Sequence, residues 1–362
     1  MLYHLLYPLT KYASGFNLFR YITFRAAGAT ITAIIICLIL GPYFINLLKK
    51  YQVQETIRAE GPESHKGKAG TPTMGGLIIL AGIVVPTLLW SDLSNFYVLM
   101  VLLVTVWLGL IGYMDDYLKV IKKQPKGMIG RKKLFGQIML GLLFALLLKY
   151  WAPGVAYDGT TSIPFFKNFV LILGVLYIPF IIFVITGTSN GVNLTDGLDG
   201  LAIGLSGICL FTFGGIAYVS GRVDFANYLQ IEYLPGTGEL TIFCAAAVGA
   251  AVGFLWFNSH PAEVFMGDTG SLALGGAIGA IAILLKKELL LVIVGGVFVI
   301  EVLSVIIQVL SYRYRGGKRI FKMAPIHHHF ELSGWAEPKV VVRFWIIGAL
   351  CALITLATLK VR

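Results

Sequence analysis

Five short stretches of this 362-residue chain carry side chains suited to handling phosphate and hard cations. Asp115 and Asp116 stand together in Gly112-Tyr113-Met114-Asp115-Asp116-Tyr117. At the C-terminal end of a helix, paired carboxylates oppose the helix dipole, which favours cations there. An ionised Asp also costs about 2.5–3.5 kcal/mol at the centre of a lipid-embedded helix, and less near the interface. A divalent cation with oxygen ligands would offset both penalties, and so would an ion pair with Lys119 or Lys122. Asn193, Asp196 and Asp199 recur every third residue in Asn193-Leu194-Thr195-Asp196-Gly197-Leu198-Asp199-Gly200. On a helix opening the next apolar run they would share about a third of the circumference. Capping accounts for one such Asp, but not for three aligned polar groups among Gly191, Gly197 and Gly200.

Asp268 lies in Phe265-Met266-Gly267-Asp268-Thr269-Gly270-Ser271, with Asn258 shortly before it. Its flanking glycines open the backbone to a phosphate or a metal, although a helix cap fits the same position. His327, His328 and His329 follow Pro325-Ile326. Histidine triplets bind metal or phosphate or move protons. Each of the four cysteines lies in an apolar run, none in a loop, so polar substrate recognition suits this cluster better than zinc. Lys68, Thr71 and Thr73 precede a glycine pair and an apolar run, an arrangement suited to phosphate at a helix N-terminus. Lys126 and Lys133 have similar settings in the next polar stretch. Glu301 stands apart, inside an apolar run. There it is a functional candidate by default, yet it could also pair within the bundle or line a lipid-head groove. A structural role is the expectation.

The elements that carry these groups are set by composition. The chain is 57% hydrophobic and only 13% charged, against about 25% charged in a soluble domain. So much apolar surface needs lipid as its solvent. Stretches near 22–46, 74–91, 96–114, 133–150, 169–187, 200–219, 239–257, 269–285, 289–311 and 341–359 are long enough to span it, and helices are the form that satisfies their backbone there. The expected fold is therefore an all-α integral membrane bundle of about ten transmembrane helices, a single catalytic domain over 1–362. Gly-rich spans permit close helix packing and a homodimer. The start of the chain lacks the pattern of a cleavable signal and reads as an interfacial segment.

The net charge is +11. Nineteen of the 29 Lys and Arg residues fall in alternate loops and at the start of the last span, which makes that side cytoplasmic. An even number of spans then puts both termini in the periplasm. Basic residues scattered between apolar runs favour a membrane surface and anionic substrates over nucleic acid. All five polar stretches map to the cytoplasmic side, at or near helix ends. Lys286 and Lys287 fall on the other side, as an exception to the charge rule.

Taken together, Gly70–Gly76, Gly112–Tyr117, Asn193–Gly200, Phe265–Ser271 and Pro325–Glu331 resemble the phospho-N-acetylmuramoyl-pentapeptide transferases. These belong to the polyprenyl-phosphate N-acetylhexosamine-1-phosphate transferase superfamily. The resemblance covers the whole chain. It implies an enzyme of the bacterial inner membrane that joins UDP-N-acetylmuramoyl-pentapeptide to undecaprenyl phosphate, giving lipid I and UMP, with Mg²⁺ as cofactor. It implies Asp115, Asp116, Asp268 and His327 as catalytic residues, with Asp268 and Asp116 on the metal. Asp115 would deprotonate the lipid phosphate, or an Asp would attack first to form a covalent phospho-enzyme. Lys68, Thr73, Lys126, Lys133, Asn193, Asp196, Asp199, Asn258, Phe265, His328 and His329 would bind substrate, with Phe265 against the uracil. The rival readings are a related UDP-N-acetylhexosamine-1-phosphate transferase and a lipid flippase, the latter disfavoured because only Glu301 is deep.

Overall fold

Apolar runs of this length close their backbone hydrogen bonds within each segment, and the chain is accordingly a bundle of helices. A computed structural model describes residues 1–50, 70–124, 127–152, 159–166 and 169–360. In order, the α-helices are α1 (Leu2–Leu6), α2 (Ile22–Lys50), α3 (Gly76–Trp90), α4 (Phe96–Val120), α5 (Gly130–Trp151), α6 (Tyr177–Thr195), α7 (Leu201–Ser220), α8 (Val223–Leu229), α9 (Leu240–Asn258), α10 (Gly267–Leu284), α11 (Glu288–Val294), α12 (Gly296–Tyr314), α13 (Ile326–Glu331) and α14 (Glu337–Thr358). A two-stranded antiparallel hairpin, β1 (Thr160–Ser162) and β2 (Val170–Ile172), precedes α6. Among the described residues nine helices are long and apolar enough to cross a membrane. The protein is thus an all-α, multi-pass membrane bundle.

The tenth expected span is α3, which has only 15 residues. Its start is held back because 72–76 bonds elsewhere: Phe265 donates its N–H to Pro72 O, while Gly75 and Gly76 donate to Phe265 O and Met266 O, all at 2.8 Å. Two other boundaries differ from expectation. The run beginning at 169 supplies β2 before it supplies a helix, since Val170-Leu171-Ile172 pairs with Thr160–Ser162 and Gly174 turns with φ +54°. The helix therefore extends on to Thr195. The 289–311 run breaks at Gly295 into α11 and α12.

The centre of the bundle is α10, with 89% of its residues buried against α3, α4, α6, α7 and α11. Glycine permits that crowding. A Cβ at Gly112 of α4 would collide with the carbonyl oxygen of Asp268, and one at Gly275 would lie 2.5 Å from Thr188 O of α6. Around this axis α2 packs on α3 and α9, α5 on α6, and α14 on α7. Lipid-facing side chains such as Ile35 and Ile39 of α2 and Leu350 and Leu353 of α14 stay exposed. Residues near both chain ends bond at the end of the bundle away from Asp268. The Met1 amino group donates to Leu88 O at 2.9 Å, at the far end of α3, and Lys360 Nζ donates to Tyr228 O of α8 at 2.6 Å.

Candidate active site

α4 and α6 run toward one end of the bundle and α10 runs away from it, so their polar ends meet. Asp115 and Asp116 lie near the C-terminal end of α4, Asn193 lies in the last turn of α6, and Asp268 lies in the first turn of α10. Asp116 is buried, and its Oδ1 accepts from Asp268 N at 3.1 Å. Its Oδ2 accepts from Thr269 N at 2.9 Å and Thr269 Oγ1 at 2.6 Å. It therefore satisfies donors that the first turn of α10 cannot satisfy for itself, and its charge faces the positive end of that helix. Asn193 Nδ2 donates to Asp268 Oδ1 at 2.7 Å and to Ser271 Oγ at 2.8 Å. Asp268 is thus held from two sides.

Two lysines cover the carboxylates. Lys119 Nζ lies 2.7 Å from Asp115 Oδ2 and 3.1 Å from Asp268 Oδ2. Lys133 Nζ, from the first turn of α5, lies 2.8 Å from Asp268 Oδ2 and 3.9 Å from Asp115 Oδ2. Asp115 also accepts from Met128 N at 2.5 Å. A point between Asp115 and Asp268 is therefore already a seat for positive charge. Carboxylate and amide oxygens are the donors hard divalent cations take, so these residues fit such an ion.

The Asn193–Gly200 loop links this cluster to two others. The expected helical face of Asn193, Asp196 and Asp199 does not form. α6 ends at Thr195, Asp196 leaves helical geometry as its C-cap, and Gly200 turns with φ +80° before α7. The chain reverses here, so the three side chains diverge. Asp196 is half-buried at the turn. Asp199 Oδ2 lies 3.1 Å from His260 Nδ1 and accepts from Ala262 N at 3.1 Å. Glu337, at the start of α14, accepts from Asp199 N at 2.8 Å. Asp199, His260 and Glu337 present ligand-type atoms within 4.8 Å of one another. Asn258 is buried and bridges the loops: its Oδ1 accepts from Gly200 N at 3.1 Å and its Nδ2 donates to Val264 O at 2.9 Å.

The histidines separate in function-bearing geometry. His327 is fully buried beside Glu301 and against Gly197. His328 Nδ1 lies 2.7 Å from Glu331 Oε2, while His329 Nδ1 accepts from Lys322 N at 3.2 Å. His327 is set against the Asn193–Gly200 loop. Glu301 is fully buried rather than lining a groove. Phe265 is half-buried beside the first cluster, and Thr73 Oγ1 would lie 3.1 Å from a Cβ at Gly267. Lys68 and Lys126 lie outside the described residues.

With this geometry in view, the comparisons decide the lineage. A Glycosyl transferase family 4 model matches residues 98–286, and a Phospho-N-acetylmuramoyl-pentapeptide-transferase signature matches 68–80. Proteins named phospho-N-acetylmuramoyl-pentapeptide-transferase are 57% identical in Pelobacter propionicus, 56% in Geobacter sp. strain M21 and 53% in Thermodesulfovibrio yellowstonii, each over 100% of both chains. The chain belongs to the phospho-N-acetylmuramoyl-pentapeptide-transferase family. As a glycosyl-1-phosphate transferase, a member of this family is generally dependent on a divalent metal. The signature of the phospho-N-acetylmuramoyl-pentapeptide transferases covers the 72–76 segment that bonds to Phe265 and Met266, so it marks the strap holding the start of α10.

Sequence reasoning passed over four contributors to these clusters: Thr269, Ser271, His260 and Glu337. Thr269 and Ser271 stood within the quoted Phe265–Ser271 motif and could have been weighed. His260 stands two residues after Asn258, a closeness that was the available signal for it. Glu337 carried no signal, because its partner is 138 residues away.

Proposed function

We propose that the chain transfers phospho-N-acetylmuramoyl-pentapeptide from its UDP-activated form to undecaprenyl phosphate, releasing UMP, at the cytoplasmic face of the bacterial inner membrane. The observation that carries this reading is the gathering of Asp115, Asp116 and Asp268 at one end of the bundle, under Lys119 and Lys133. Phosphoryl transfer between two anions is governed by positioning and charge neutralisation, and this cluster offers both. With the site cytoplasmic, the two chain ends would be periplasmic.

Asp268 is the residue we assign to hold Mg²⁺, with Asp115 the nearer second carboxylate. Asp116 was expected on the metal from sequence. Its three hydrogen bonds to the first turn of α10 favour a different task, fixing the direction of Asp268. Mg²⁺, when bound, supplies positive charge to the diphosphate and the departing UMP. The chain's own residues do the rest. Asp115 takes the proton of the lipid phosphate. Lys133 and Lys119 neutralise phosphate oxygens, with Lys68 and Lys126 as further contacts. Asn193 keeps Asp268 turned toward the reacting groups. Thr73, Asp196, Asp199, Asn258 and Phe265 shape the nucleotide pocket, Phe265 stacking on the uracil. His327 faces the diphosphate from the far side of the loop, and His328 and His329 hold the turn that carries it.

The test uses purified full-length protein with undecaprenyl phosphate, Mg²⁺, and either UDP-N-acetylmuramoyl-pentapeptide or UDP-N-acetylglucosamine. UMP and a lipid-linked product should appear with the first nucleotide alone. Chelation by EDTA should stop the reaction, and added Mg²⁺ should restore it. Turnover of the second nucleotide at an equal rate would refute the substrate assignment.

A further inference from the structure

Glu301 and His327 form a buried pair with an unmet demand for hydrogen bonds. Both side chains are 0% exposed, and His327 Nδ1 lies 3.1 Å from Glu301 Oε1. The approach is off the line of a hydrogen bond. Neither ring nitrogen and neither carboxylate oxygen has a hydrogen-bond partner among the described residues. Buried polar atoms in that state are uncommon and costly. Catalytic hydrogen bonds often stand misaligned before substrate arrives and tighten with it.

The neighbours of the ring define what it can do. A Cβ at Gly197 would collide with His327 Nε2, so that nitrogen is aimed at the backbone of the Asn193–Gly200 loop. The ring packs edge-on against His328, with centroids 4.1 Å apart, and His328 is tied to Glu331. The break at Gly295 makes the arrangement reachable. It lets α12 lean over the last turns of α6, where a Cβ at Gly191 would lie 3.5 Å from Val302 and 3.9 Å from Phe298. Glu301, in the second turn of α12, is thereby delivered to the site end of the bundle.

We propose that Glu301 is a positioning residue for His327. Its carboxylate accepts Nδ1–H and fixes the ring, so that Nε2 is presented to the diphosphate of the sugar nucleotide. A carboxylate behind a histidine fixes ring orientation and proton placement in this way. The inference rests on the role given to His327 above. It assigns a task to an acidic side chain within a membrane-spanning helix that the reaction otherwise leaves unused.

Glu301→Ala should lower kcat/KM for the UDP-sugar by roughly 10–100-fold while KM for the polyprenyl phosphate stays within about twofold. Glu301→Gln, which keeps an acceptor oxygen and the same volume, should recover part of that loss and is the deciding variant if Glu301→Ala does not fold. Because Glu301 acts through His327, adding either change to His327→Ala should cost nothing further. The two hypotheses fail differently. Near-normal turnover by His327→Ala overturns the role of His327 itself. An impaired His327→Ala beside an unaffected Glu301→Gln, losses that multiply in the double variant, or equal loss toward both substrates with a lowered melting temperature, overturns the positioning role of Glu301 alone.

Discussion

The two ends of α10 handle buried charge in opposite ways. At its N-terminus Asp115, Asp116 and Asp268 crowd together, and one of their two ammonium partners, Lys119, keeps 38% of its side chain exposed. Just past its C-terminus Lys286, Lys287 and Glu288 are each 2% exposed. Lys286 Nζ pairs with Glu232 at 3.0 Å, Lys287 Nζ donates to Ser162 at 3.2 Å, and Glu288 accepts from Thr161 at 2.5 Å and from Tyr177. Arg25 and Glu239 add a bidentate pair between α2 and the turn before α9. The far end is a lock that ties together the hairpin, the start of α6, the segment after α8 and the start of α11. The near end holds its carboxylates with lysines that can exchange partners, which is the condition for accepting a cation or a phosphate. Charge density alone does not mark a site; carboxylates that share the same two lysines do.

Substitutions should separate the two ends. The largest effect is expected from Asp268→Asn: transfer should fall by about 10²–10³ in kcat, with the melting temperature in detergent unchanged. A variant that keeps wild-type turnover would remove Asp268 from the metal. Asp116→Ala should lose turnover and stability together, because it strips three hydrogen bonds from the start of α10, each worth about 1.5–3 kcal/mol when the acceptor is charged. Loss of turnover with full thermal stability would return Asp116 to a purely chemical role. Lys133→Met should raise KM for the UDP-sugar by roughly tenfold, since a charged hydrogen bond to a phosphate is worth about that much; steady-state kinetics at saturating lipid would show it. The smallest catalytic effect belongs to the far end. Glu288→Gln should lower the melting temperature while each folded molecule keeps its turnover, read by normalising activity to the folded fraction. A specific loss of turnover there would erase the contrast.

Much of this was legible from residue order alone. Long apolar runs fixed the bundle because lipid leaves a backbone no other way to satisfy itself. The carboxylates of Asp115, Asp116 and Asp268 could be placed on one face by counting spans, and the structure brings them into contact. Local geometry was harder. Asn193, Asp196 and Asp199 have helical spacing, yet the glycines at 197 and 200 are used to reverse the chain, so the repeat scatters the groups instead of aligning them. The apolar run at 170–172 reads equally well as strand or span, and its pairing with Thr160–Ser162 decided it. Glu301 looked deep because a straight ninth span would make it so; the break at Gly295 cannot be seen from hydropathy. Lys286 and Lys287 counted as an exception to the loop-charge rule; they do lie in the turn between α10 and α11, but packed inside.

The seclusion of α10 also bears on how the protein tolerates its surroundings. Of α10, 89% is buried, whereas only 28% of the α12 window is. Helices in contact with acyl chains tilt or shift when the bilayer thickens or thins. α12 must absorb such strain; α10 is shielded from it by a jacket of neighbouring helices. The carboxylate that α10 carries should keep its coordinates across membranes of differing chain length, leaving growth temperature and lipid diet to act on the wall of the bundle instead of on its chemistry.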